Sequence, residues 1–71
     1  MEMTIDDLVA RGRVLYGERW QSALAIDLGV TDRTVRRWVA REFSIPDDTE
    51  QKLQELMMER YNKIFSLLFY H

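Results

Sequence analysis

Residues 29–38 read GVTDRTVRRW, and the groups in that stretch with chemical reach are the guanidiniums of Arg33, Arg36 and Arg37, led by the carboxylate of Asp32. A guanidinium is a planar fork of donors that stays charged in a protein. It can donate two parallel bonds to guanine O6 and N7, or clamp a phosphate. Asp32 has two readings. A carboxylate in a first helical turn supports the helix and can orient Arg33 or Arg36; alternatively it accepts a bond from cytosine N4.

The chain as a whole does not look basic, since its net charge is −2. The average hides a local field. Residues 11–41 hold seven arginines against Glu18, Asp27 and Asp32, a balance of +4, while the rest of the chain sums to −6. A basic middle between acidic flanks is a pattern that a polyanionic partner can read by orientation.

Other chemistry is poorly provided for. There is no cysteine, which removes thiol catalysis, disulfide frameworks and Cys-type zinc sites. The one histidine, His71, has no ligand partners near it in sequence, so no metal or cofactor is expected. The scattered carboxylates offer no nucleophile with a base, and the chain is read as not an enzyme. Trp20 and Trp38 could stack on bases, but their spacing assigns them to a core. Met57 and Met58 read as gap-filling core or interface residues.

These groups need a scaffold, and 71 residues support one domain, 1–71, with a single small core. Its pattern is all-α, with about four helices. The first opens at Thr4, a good N-cap type, with Asp6 and Asp7 in the opening turn and Met3 and Leu8 spaced as a hydrophobic staple. Ile5, Leu8, Val9, Gly12, Leu15 and Tyr16 share one face, and Gly17 suits the stop. A second helix runs from Glu18 or Arg19 to Leu28, with Gly29 at the turn; a third follows the N-cap type Thr31 and ends near Arg41. Pro46 then marks the start of a last helix, about 47–71, some 25 residues and roughly 37 Å long.

The third helix separates its faces. At about 100° per residue, with Asp32 at zero, Arg36, Arg33 and Arg37 fall near 40°, 100° and 140°, and Trp38, Val35 and Val39 near 240°, 300° and 340°. Arg33 and Arg36 are placed by this pattern in the N-terminal half, where the helix dipole disfavours cations. A local rule broken without folding benefit points to function.

Residues 21–40, QSALAIDLGVTDRTVRRWVA, form a frame with small Ala25 at the closest approach, Gly29 at the corner, and Leu24, Leu28, Val30, Val35 and Trp38 as locking contacts. This frame closely resembles the helix-turn-helix of lambda-repressor-like and Cro-like DNA-binding proteins, found in small prokaryotic and phage regulators. The link and next helix, REFSIPDDTEQKL, are similar to that family more loosely. The resemblance implies that the polar face of the third helix enters the major groove, with Asp32, Arg33, Arg36 and Arg37 as base or phosphate contacts. It also implies that the second helix docks on the phosphate backbone through Gln21 and Ser22, although plain helix initiation accounts for both. Thr31, Thr34, Arg19 and Arg41 would extend the phosphate footprint.

The C-terminal helix carries a widening apolar stripe: Tyr61, Ile64, Phe65, Leu67, Leu68, Phe69 and Tyr70. Its apolar run is too short to span a bilayer and lacks the basic polar face of a membrane-surface helix. A patch of this size calls for cover, either by folding back or by a second copy. The homodimer is favoured, since two-fold symmetry would set two recognition helices roughly 34 Å apart on a near-palindromic site. The start, MEMTIDDLVARG, lacks signal-peptide features, so the expected location is cytoplasmic and nucleoid-associated. The expected function is sequence-specific double-stranded DNA binding by a small dimeric transcriptional regulator, without cofactor or evident small-molecule ligand. The alternative is a helical protein-interaction or assembly module that uses the same scaffold without reading DNA.

Overall fold

The computed structural model describes residues 3–69. Four helices follow in order: α1 (Ile5–Tyr16), α2 (Trp20–Leu28), α3 (Asp32–Val39) and α4 (Thr49–Phe69), with no strand among the described residues. Tyr70 and His71 lie outside the described residues.

Capping chemistry sets the first boundaries. Thr4 Oγ1 accepts from the Asp7 N–H at 3.1 Å, and the Asp7 carboxylate accepts from the Thr4 N–H at 3.4 Å, a reciprocal pair that satisfies two otherwise orphaned donors. α2 ends on Gly29 in the left-handed region, φ 75°. The Gly29 N–H bonds Ile26 O and the Val30 N–H bonds Ala25 O, which closes the helix and turns the chain toward α3.

Packing selects which face of each helix turns inward. Leu8 and Leu15 of α1, Trp20, Leu24, Ala25 and Leu28 of α2, Val35 and Trp38 of α3, and Leu53 of α4 form one buried cluster. Both tryptophans are core residues, each 3% exposed. Gly12 is buried against the Trp20 ring; a Cβ there would overlap the ring. Met3 and Met57 pack against the cluster edge, whereas Met58 is exposed.

Three boundaries differ from the sequence pattern. α2 begins at Trp20, after a turn at Glu18 and Arg19. α3 stops at Val39 rather than near Arg41, because Arg41 adopts φ 63° and its N–H and that of Glu42 bond back to Trp38 O and Arg37 O. α4 begins at Thr49 rather than 47: Pro46 O accepts the Thr49 N–H at 3.1 Å, so the proline opens a turn before the helix.

Only the root of α4 joins the core. Thr49 and Leu53 are buried, Leu56 and Met57 partly so, and every described residue from Met58 onward is exposed. The second half of this helix, about 18 Å of it, leaves the core; Arg60 still reaches back to α1, and beyond that contact the helix overhangs the bundle. No helix among the described residues is long and apolar enough to cross a membrane.

Candidate nucleic-acid interface

α3 is held by its apolar edge. Val35 and Trp38 are buried against α1 and α2, and that anchorage turns Arg33 and Arg36 outward, both exposed. The helix start is fixed by Thr31, whose Oγ1 accepts the Thr34 N–H at 3.2 Å and lies 2.9 Å from Thr34 Oγ1. The two hydroxyls therefore serve the cap first. One of their two protons remains to donate outward.

Asp32 and Arg36 form an i,i+4 pair, Oδ2 to Nη2 at 3.6 Å, with both side chains about half exposed. The carboxylate thus holds the guanidinium on the outer face. Arg37 is placed differently. Its Nε lies 3.9 Å from Glu42 Oε2, its guanidinium stands 5.2 Å from the Phe43 ring centroid, and the residue is half-buried. Of the three arginines, Arg37 is the one drawn back toward the following link.

Because α3 is only eight residues long, Arg36 and Arg37 fall in its last turn, where a cation suits the negative helix end. The helix dipole therefore disfavours the cation at Arg33 alone. Arg33 sits in the first turn, is exposed, and makes no ion pair among the described residues.

The flanking candidates gather around the same corner of the chain. Arg19 occupies the N-cap position of α2, which has no side-chain cap, so the first N–H groups of that helix lack an internal acceptor. Gln21 is half-buried and Ser22 exposed in the following turn. Arg41 follows α3 in the left-handed region and is exposed. Like Arg33, Arg13, Arg19 and Arg41 make no ion pair with a described residue, so four of the seven arginines in the basic middle keep their charge uncompensated at close range.

A polar network that the sequence pattern does not mark joins α1 to α2 and α4. The Tyr16 hydroxyl donates to Asp27 Oδ2, linking α1 to α2, and Arg60 Nη1 of α4 donates to Leu15 O at 2.8 Å while its guanidinium lies 5.8 Å from the Tyr16 ring centroid. Burial, followed by the bond to the Asp27 carboxylate, raises the Tyr16 phenol well above its ordinary pKa. The only signal in the sequence was the polar end of Tyr16 on an otherwise apolar face.

Compared with protein-family models, curated proteins and solved structures, the chain matches none.

Proposed function

We propose that this chain binds double-stranded DNA sequence-specifically and acts as a small two-copy transcriptional regulator, with α3 in the major groove. The observation that carries this reading is the orientation of α3: Val35 and Trp38 anchor one edge, and the other offers Arg33, unpaired among the described residues, and Arg36 braced by Asp32. Guanidiniums presented this way match guanine edges and phosphates. The uncapped start of α2 with Arg19, Gln21 and Ser22, the remaining hydroxyl proton of the Thr31–Thr34 pair, and Arg41 supply backbone contacts that hold the helix in register. Such a protein works on the nucleoid in the cytoplasm and regulates by occupancy, needing no cofactor.

The second reading is a protein-interaction module, favoured by the exposed apolar half of α4. Salt separates the two. Duplex affinity should fall steeply as salt rises, and Arg36→Ala should cost about 1–3 kcal/mol at a preferred site selected from a random duplex library. Absence of duplex binding at low salt would sink the DNA reading.

A further inference from the structure

The overhanging half of α4 carries more apolar surface than a free helix keeps. Leu67 is 71% exposed, Leu68 and Phe69 each 64%, and Ile64 50%. With Met58, Tyr61 and Phe65 the patch amounts to on the order of 800 Å², which is what one partner contributes to a standard stable interface.

Its shape is informative. Leu53, Leu56 and Met57 mark the side of α4 that faces the core. Counted from Leu53 at 3.6 residues per turn, Ile64, Leu67 and Leu68 return to that same side, so this aliphatic row continues the core-facing side of α4 past the end of the bundle. Tyr61, Phe65 and Phe69 follow one another at four-residue steps and form a second row beside the first. The aromatic row is ordered within itself, with centroids 6.0 Å apart from Tyr61 to Phe65 and 4.7 Å apart from Phe65 to Phe69. Two adjoining rows, roughly 200° wide together, exceed the single seam that one partner helix covers.

We propose that α4 pairs antiparallel with α4 of a second copy, about a two-fold axis near Tyr61. The aromatic row then meets the second copy's α4, with Phe65 beside the second copy's Met57. In that arrangement both bundles lie on one side of the helix pair. Each overhang runs alongside the other copy's root, so its aliphatic row faces that copy's bundle. A parallel pair would join the overhangs only to each other and leave the aliphatic rows without a bundle to cover them. The antiparallel pair covers both rows with surfaces this chain already has, and the contact line through Gln54, Met58, Tyr61 and Phe65, with Leu68 at the boundary between the two rows, contains no charge to repel itself. This deepens the two-copy element of the function proposed above and rests on that element, not on the DNA contacts.

The chain has no cysteine, so single spin labels can be placed cleanly. Labels on Gln51→Cys and Ser66→Cys, both at exposed positions, should lie about 30 Å and about 15 Å apart along the helix axes, set by their distances from Tyr61. Light scattering of the full chain without DNA should give twice the chain mass. Leu68→Glu should raise the dimer dissociation constant at least about a hundredfold while leaving the helical circular dichroism unchanged. A dimer with equal, short distances at both labels is parallel and overturns the inference while the two-copy reading survives, and a dimer indifferent to Leu68→Glu likewise overturns it. A monomer at submillimolar concentration overturns both, and duplex titration of that monomer then judges the α3 reading separately.

Discussion

Asp32 stands one helical turn before Arg36 on the outer face of α3, its Oδ2 3.6 Å from Nη2. That spacing makes the carboxylate a brace: it restrains a side chain that otherwise loses substantial rotamer entropy on binding. If Asp32 instead met a base directly, its contribution would not depend on Arg36. Asp32→Asn should therefore cost about 0.5–1 kcal/mol of duplex affinity in the parent chain and almost nothing in the Arg36→Ala background. Titrating the four variants against one preferred duplex closes the cycle; equal effects in both backgrounds would assign Asp32 to a base.

The periodic signals in the sequence were strong wherever one side chain type answers one local need. Thr4 and Thr31 cap as expected, Gly29 turns at positive φ, and Trp20 and Trp38 fill the core. What was not legible depends on how the chain returns upon itself. The end of α3 carries neither Gly nor Pro; it is set by backbone bonds from Arg41 and Glu42 to Trp38 and Arg37. That same return brings Glu42 and Phe43 to Arg37, so its withdrawal could not be read from a helical wheel. The Tyr16 to Asp27 bond likewise spans a turn between two helices whose relative rotation the periodicity does not specify.

Arg41 is the only described residue other than glycine at positive φ. A left-handed residue with a Cβ is strained by roughly 1–2 kcal/mol, and glycine is the ordinary occupant of this closing motif. Arg41→Gly should stabilise the fold by about 1 kcal/mol, raising the melting midpoint by about 4–8 °C. It should also weaken duplex binding and reduce the salt slope by about one. Strain retained at a site where its relief costs function is the expected signature of a contact residue. A lower midpoint would show that Arg41 serves the fold instead.

Gly12 gives a test of the core that anchors α2. Alanine is the better helix former by about 1 kcal/mol, which alone would favour Gly12→Ala. Against that, the new Cβ would overlap the ring of Trp20, which is 3% exposed and walled in by the core. The steric term should win, with a net loss of about 1–2 kcal/mol in urea unfolding. An unchanged midpoint would mean that Trp20 can move, and the anchorage of α2 would then be looser than its burial suggests.

The Tyr16 network predicts an alkaline limit. The phenol is held protonated by burial and by its bond to Asp27, so its folded pKa lies above the unfolded value of about 10. The folded chain then holds this proton more tightly than the unfolded chain does. Its contribution is complete below pH about 10 and is lost as pH rises through the folded pKa. Tyr16→Phe should cost about 1 kcal/mol at neutral pH, the usual worth of such a bond. The gap between the two proteins should narrow above pH about 10, because the unfolded parent ionises there and the variant has no phenol at this position. Urea unfolding of both proteins from neutral to strongly alkaline pH measures that gap, and a constant difference would show that Tyr16 acts through packing alone. Arg60 meets the same ring from the other side of the joint, tying the middle of α4 to the end of α1. Its guanidinium favours the phenolate, so this tie persists as the Tyr16–Asp27 bond is lost, and the α1–α2 joint should loosen before α4 detaches, visible as earlier hydrogen exchange at Asp27 and Leu28 than at Leu56 and Met57.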